Sequence, residues 1–205
     1  MDEMGEFPAS VLDCLRQPLE EGVVWVSRAK ASVVFPAQFL LIGATNPCPC
    51  GEGTAPGACR CTDAARWRYA RRLSGPLLDR FDLRVGVDRP AVEELLGAMP
   101  AEATAPVAVR VAAAREVARR RGFRCNAELP ADRLDQLAPL TAPAVRVLER
   151  ELRDGRISAR GLHRIRRVAR TLADLGSAPD LVDDIHVCGA LELRSLNVQP
   201  HAVAS

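Results

Sequence analysis

The sequence is almost without lysine. Lys30 is the only lysine, and every other basic residue among the 28 is an arginine. No apolar run approaches the ~20 residues that a membrane-spanning helix needs, and the acidic start, Met1–Glu6, has no basic segment leading into an apolar stretch. We therefore expect neither a membrane segment nor a signal peptide. A net charge of only +2, with 26 acidic residues present, gives no case from composition for a nucleic-acid partner.

Cysteine is present in an odd number, seven, and four of the cysteines lie within fourteen residues of one another. A secreted domain held by disulfides would spread its cysteines along the chain, so this clustering favours a reduced, cytoplasmic setting. The hydrophobic fraction of 48% and charged fraction of 26% are ordinary for a globular protein.

Short apolar runs separated by turn residues occupy the first ninety residues. The residues after Pro8 predict a helix, and the β-branched runs Val23–Val26 and Ser32–Phe35 predict a hairpin with a basic tip. The continuous apolar run Phe39–Ala44 is typical of a strand buried on both faces. A cysteine-rich loop follows, and then a basic helix is predicted near Ala64–Leu73.

The rest of the chain predicts helices after one more short strand, Leu83–Val87. In the predicted helix Arg160–Leu175, apolar residues recur at helical spacing and arginines occupy another face. The Ala-, Pro- and Thr-rich segment Ala101–Pro106 is the best linker. We predict an α/β portion over residues 1–90 and an α-helical portion over residues 91–205. The other helices are predicted at Val107–Arg121, Ala144–Arg153 and Val182–Leu193.

Four motifs, in this order, resemble the magnesium-chelatase-like AAA+ ATPases of the ComM/YifB family. The resemblance runs from residue 1 to about Arg194 and implies the C-terminal part of an AAA+ P-loop NTPase core, followed by an all-α lid. The motifs are Asp2-Glu3-Met4-Gly5-Glu6-Phe7 with the later Leu15–Glu20, then Asn46-Pro47-Cys48-Pro49-Cys50-Gly51, Leu73–Asp82 and Ser158-Ala159-Arg160.

The resemblance implies an ATP site with Mg²⁺. Asp2 and Glu3 match the Walker B pair, in which the first acid holds Mg²⁺ through water and the second orients the attacking water. Asn46 matches sensor 1, an amide that binds this water and the γ-phosphate. The alternatives are two solvated acids, and a turn-forming asparagine before proline.

Three further positions take roles from the same resemblance. Arg80 matches the arginine finger that reaches a neighbouring subunit's ATP; the alternative is a salt bridge to Asp79 or Asp82. Arg160 matches sensor 2, which binds nucleotide. At the hairpin tip, Arg28 and Lys30 resemble the pore hairpin that related ring motors use on DNA, against the alternative of a solvated turn.

Two cysteine pairs offer a metal site. Together they could supply four thiolates to one tetrahedral Zn²⁺. Only one residue separates the two cysteines of each pair, which is a shorter spacing than the usual two to four. Free or oxidised thiols are the alternative. The three isolated cysteines are interpreted as small core residues. The paired residues are Cys48, Cys50, Cys59 and Cys61, and the isolated ones are Cys14, Cys125 and Cys188.

The family's phosphate-binding loop, G-x-x-x-x-G-K-[ST], is not found in the chain, because Lys30 lacks a glycine at the required place before it. We expect either a piece of a longer product or a truncated reading frame. The first functional hypothesis is part of a homo-oligomeric ring, a hexamer, in which ATP drives a branch-migration motor on DNA. The others are a non-catalytic assembly or zinc-binding module, and a magnesium-chelatase subunit.

Overall fold

The structure, a computed structural model, describes residues 1–28, 31–53, 59–87, 90, 92, 96–97, 102–176 and 180–195. Contacts between residues divide this part of the chain into two compact units, one of residues 1–81 and one that begins at Asp82. The division therefore falls before the boundary predicted after residue 90. In the described ranges, no helix combines the length and the apolar character that a membrane crossing requires.

The first unit contains short helices and a two-stranded sheet. Pro8 precedes the first helix, and an antiparallel hairpin pairs Trp25 with Val34 and Val24 with Phe35, so the predicted helix and hairpin are both confirmed. The basic helix is also confirmed. The elements are α1 (Ala9–Asp13), α2 (Arg16–Glu21), β1 (Val23–Arg28), β2 (Ala31–Pro36), α3 (Asp63–Ala70) and α4 (Gly75–Leu78), with a 3₁₀ turn at Met4–Glu6.

The predicted buried strand at Phe39–Ala44 is wrong. The segment is not a strand of the described sheet, and Leu40 and Ile42 are 84% and 72% exposed. Its backbone pairs with the first residues of the chain: the amino group of Met1 donates to the Ile42 carbonyl at 2.7 Å, and the Ala44 N–H donates to the Met1 carbonyl at 2.9 Å. An apolar run is buried only where other layers cover it, and the described residues give this segment a backbone partner on one side.

The core of the first unit joins the turn after residue 3 to the helices. Met4 is buried so closely against Gly43 that a Cβ atom at residue 43 would lie 1.9 Å from the Met4 sulfur. A larger residue there would displace the Met4 side chain, so glycine lets the turn pack against the paired segment. The buried members of this core are Met4, Leu12, Leu73 and Leu77, and Leu15, Leu19, Leu78 and Phe81 pack against them.

Helices build the second unit, as predicted. Thr104–Pro106, assigned to a linker from the sequence, instead form the first turn of a helix, where proline is tolerated; Ala101 lies outside the described residues. The predicted strand Leu83–Val87 is wrong, since the structure assigns no strand to this segment and Val87 is 88% exposed. The helices are α5 (Thr104–Arg120), α6 (Leu134–Leu137), α7 (Ala142–Arg153), α8 (Ala159–Leu175) and α9 (Asp184–Ser195).

Helix α8 supplies the centre of the second core. Ser158 caps its start by accepting a hydrogen bond from the Gly161 N–H at 3.1 Å. Ile165 and Ala169 are fully buried, and Leu162 and Leu172 pack against the same core. The apolar face predicted from helical spacing is therefore confirmed.

Candidate functional site

The acidic pair Asp2-Glu3 lies at the end of a parallel backbone pairing. The hydrogen bonds of Met1 to Ile42 and Ala44 pair Met1 with Gly43 in parallel. Paired parallel segments run in the same direction. Asp2-Glu3 follows Met1 and Asn46 follows Gly43, so both lie beyond the carboxyl ends of their paired residues. The three residues that the resemblance assigns to one nucleotide site therefore lie at the same end of two neighbouring segments.

Local backbone geometry presents both carboxylates to solvent. Glu3 adopts a left-handed conformation, with φ of 48° and ψ of 43°, and its N–H donates to Asp2 Oδ1 at 2.9 Å. Asp2, Glu3 and Asn46 are all exposed. Within the described part of the chain neither carboxylate forms an ion pair. Two adjacent, uncompensated carboxylates are suited to a divalent cation such as Mg²⁺.

The four clustered cysteines converge on one point. The Sγ atom of Cys48 lies 3.3 Å from that of Cys50 and 3.6 Å from that of Cys59, and Cys50 and Cys59 are also 3.6 Å apart. All four sulfurs, with that of Cys61, lie within 4.8 Å of one another. A tetrahedral zinc site with Zn–S bonds of about 2.3 Å places its sulfurs roughly 3.8 Å apart, so the arrangement fits that ion.

The thiols of this cluster differ in acidity. The Glu52 backbone N–H and the Cys48 and Cys61 thiols hydrogen-bond to Cys50 and lower its pKa to about 6. The hydrogen bond with Cys50 raises the pKa of Cys61 to about 11, and burial raises the pKa of Cys48. One thiolate, on Cys50, is thus favoured near neutral pH and held by its neighbours.

Arg66 is a neighbour of the cluster that the sequence analysis did not single out. Its guanidinium hydrogen-bonds to Cys59, and this contact raises the pKa of Arg66. A metal bound by four thiolates carries net negative charge, which a cation at this position offsets. The available signal in the sequence is the position of Arg66 on the helix that starts two residues after Cys61.

Arg80 is held within its own unit. Its Nε donates to the Arg16 carbonyl at 2.8 Å and lies 3.5 Å from Glu20 Oε2, and its side chain is 10% exposed. Nη1 donates to the Pro76 carbonyl. The guanidinium is therefore fixed by backbone oxygens and by a carboxylate from α2.

The other predicted site residues lie on other elements. Arg160 is exposed in the first turn of α8, in the second unit. Its helix also carries Arg164, whose Nη1 donates to Asp82 at 2.9 Å. Arg28 is exposed at the end of β1, where it pairs with Ala31, and Lys30 lies outside the described residues.

The isolated cysteines are not core residues, contrary to the interpretation from the sequence. Cys14, Cys125 and Cys188 are all exposed and unpaired by disulfide. Cys14 sits just after α1, where its thiol donates to the Ser10 carbonyl at 3.2 Å. A small apolar side chain is buried only where neighbouring elements cover it, and these three side chains are left exposed in the described structure.

Comparison with known proteins agrees with the resemblance of the motifs. The family described as magnesium chelatase, subunit ChlI, matches residues 1–95, and the C-terminal family of the same subunit matches residues 101–194. Competence protein ComM of Haemophilus influenzae is 38% identical over 96% of this chain. The uncharacterized protein YifB of Escherichia coli is 37% identical over 96% of it.

An uncharacterized protein of Mycobacterium tuberculosis is 41% identical over 95% of the chain. The matched region makes up 39% of that relative, 39% of YifB and 38% of ComM. The chain thus spans about two fifths of the length of these curated relatives.

Proposed function

The chain belongs to the magnesium-chelatase-like family that includes ComM and YifB, and we propose that it supplies part of the ATPase site of an AAA+ motor that acts on DNA. In this proposal residues 1–90 contribute to the nucleotide-binding core and the helices after residue 90 form its lid. The motor is a homo-oligomeric ring, a hexamer.

The observation that carries this proposal is the parallel pairing of Met1 with Gly43. It sends Asp2-Glu3 and Asn46 out of adjacent segments toward the same edge, which is where nucleotides bind in parallel α/β sheets. The left-handed backbone at Glu3 turns the chain immediately after the acidic pair.

Each residue has a task in that site. Asp2 would hold Mg²⁺ through water, Glu3 would orient the water that attacks the γ-phosphate, and Asn46 would hold that water and the phosphate. Bound Mg²⁺ supplies positive charge to the β- and γ-phosphate oxygens. The exposed, unpaired state of the two carboxylates supports this assignment.

Arginines outside the acidic pair would contribute to the ATP site and to DNA binding. Arg80 would serve as the finger for a neighbouring subunit, and Arg160 would contact nucleotide from the lid. The contacts of Arg80 to the Arg16 and Pro76 carbonyls are consistent with a side chain held in a fixed position before it meets the phosphate. Arg28 and Lys30 would touch DNA phosphates from the hairpin tip.

We also propose a structural zinc ion bound by Cys48, Cys50, Cys59 and Cys61. The convergence of the four sulfurs supports this site. Zinc would close the loop that connects Asn46 to α3, a loop with little apolar material of its own. The convergence of the four sulfurs is equally compatible with the second candidate function, a zinc-containing assembly module without catalysis.

The test uses a chimera in which this chain replaces the matching part of ComM from Haemophilus influenzae, which restores a phosphate-binding loop ahead of Asp2. We expect ATP turnover in the chimera and greater turnover when DNA is added. The chain alone should hydrolyse no ATP, because its sequence contains neither the lysine nor the backbone cradle of a phosphate-binding loop. A folded chimera that binds ATP without turnover would favour the assembly module instead.

A further inference from the structure

Helix α3 presents a distinct surface next to the cysteine cluster. Thr62 caps its start, with Oγ1 accepting from the Ala65 N–H at 3.2 Å. Tyr69 faces inward and is 4% exposed. On the inner side Arg66 bonds to Cys59, so the helix is anchored along one face and its opposite face is open to solvent.

The open face combines an aromatic ring with cations. Trp67 is 57% exposed, and the guanidinium of Arg71, one turn later, lies 4.6 Å from the centre of its ring. Arg68 lines a cleft beside Trp67 with Asp63 and Ala64. The cation holds the indole in place and leaves part of its surface exposed.

The arginines beside Trp67 have no acidic partner among the described residues. Over the described ranges, Arg60, Arg68 and Arg71 form no ion pair, and Asp63 is the one acidic residue of α3. Several exposed arginines of the second unit, in contrast, are matched with glutamates. Those pairs are Arg110–Glu102, Arg124–Glu128, Arg153–Glu149 and Arg156–Glu151.

We propose that this face of α3 binds single-stranded DNA, with one base stacked on Trp67 and the flanking phosphates on Arg68 and Arg71. It deepens the proposed function, on which it rests, by naming the form of DNA that is bound and the residues that bind it. An exposed indole beside guanidiniums that form no ion pair suits single strands, since every base has a face for stacking.

Duplex DNA is the less suitable ligand for this surface. Its bases are already stacked on one another, so the ring of Trp67 would have no base to receive and only the phosphate contacts would remain. Arg60, two residues before Thr62, extends the positive charge beyond the first turn of the helix. Stacking on Trp67 therefore favours single-stranded over duplex DNA, and the arginines attract the phosphates of either form.

Binding can be measured with the chain as it is, by fluorescence anisotropy of a labelled oligothymidylate of about 20 nucleotides, longer than common single-strand sites. Trp67→Ala should weaken binding about tenfold, as expected for loss of one stacked base, and Trp67→Phe should retain most of it. Arg68→Ala should weaken binding and reduce the slope of log K against log salt by about 0.7.

A second readout identifies the contact directly. The chain has two tryptophans, so in a Trp25→Phe background the remaining emission comes from Trp67 and should be quenched by the oligonucleotide. Arg153→Ala, which removes an exposed arginine of α7, is the matched control and should bind as wild type. Circular dichroism of each variant checks that it is folded.

The outcomes separate this proposal from the DNA action on which it rests. If the wild type binds the oligonucleotide and Trp67→Ala and Arg68→Ala bind equally well, the α3 face is not the site, whereas DNA action stands. If a duplex of equal length binds as tightly as the single strand, the single-strand assignment is overturned. If the wild type binds no DNA, both proposals fail.

Discussion

Asp174 and Arg121 form a two-pronged ion pair inside the helical unit, although 53 residues separate them in sequence. Asp174 Oδ2 accepts from Arg121 Nη1 at 2.9 Å and from the Asn126 amide at 2.8 Å. Arg170, one turn earlier on α8, also reaches this carboxylate, at 2.9 Å, with its side chain 1% exposed. One buried carboxylate thus balances two guanidiniums and ties α8 to the segment after α5.

Asp174→Ala should therefore destabilise the chain strongly. The change removes the buried carboxylate that both poorly hydrated guanidiniums contact, for which about 3–5 kcal/mol is expected. Urea unfolding followed by circular dichroism measures it. Asp135→Ala is the control, because that carboxylate is 90% exposed where it pairs with Arg166 and should cost at most about 1 kcal/mol. Equal losses in the two variants would contradict the role given to the buried network.

Arg80→Ala should lower both stability and turnover. Loss of its hydrogen bonds to the Arg16 and Pro76 carbonyls should cost roughly 1–3 kcal/mol, and in the chimera the missing finger should lower kcat by ~10³ or more. Arg16→Ala, which retains the backbone carbonyl, should leave turnover intact.

A mixing experiment separates these two effects. Subunits with Arg80→Ala and an intact phosphate-binding loop, combined with loop-mutant subunits that retain Arg80, should regain turnover. Mixed rings that form and stay inactive would limit Arg80 to its structural contacts.

Metal content tests the cysteine cluster. Protein purified without chelator should contain one zinc ion per chain, and Cys48→Ser/Cys61→Ser should contain almost none, because two of four thiolates are lost. Cys14→Ser/Cys188→Ser removes two exposed cysteines outside the cluster and should keep the metal. A zinc content that is equally low in the wild type and in Cys48→Ser/Cys61→Ser would contradict the proposed zinc site.

Metal-free protein should be alkylated first at Cys50. Its pKa of about 6 makes it mostly thiolate at pH 7, whereas Cys61, with a pKa of about 11, stays protonated there. The reaction rate of Cys50 should fall as the pH drops through 6, and added zinc should protect it. Iodoacetamide labelling followed by peptide mass spectrometry gives the order, and faster labelling of Cys61 at pH 7 would contradict it.

Local patterns in the sequence predicted the structure well where one element carries the signal. The apolar spacing around Ile165 and Ala169 predicted α8, and the paired β-branched runs predicted β1 and β2. The C-x-C spacing of Cys48-Pro49-Cys50 and Cys59-Arg60-Cys61 predicted that four thiols meet, and they do.

Predictions that depended on distant partners succeeded less. The apolar runs at Phe39–Ala44 and Leu83–Val87 suit strands, but burial depends on layers that a local pattern does not contain. The contact of Asp174 with Arg121 could not be read from sequence either, since only the Arg170–Asp174 spacing is local. Arg66 was seen as one more arginine of a basic helix, because its contact with Cys59 requires the loop to fold back.

The role of Glu3 in ATP hydrolysis is the most direct test of the account. Turnover is measured in the ComM chimera with saturating ATP, for the unchanged chain, for Glu3→Gln, and for Glu21→Gln as a control carboxylate that bonds only to Gln17 in the described residues. We expect Glu3→Gln to retain ATP binding and to lose turnover by at least about 100-fold, with Glu21→Gln unchanged. Turnover of Glu3→Gln equal to that of the unchanged chimera would contradict it.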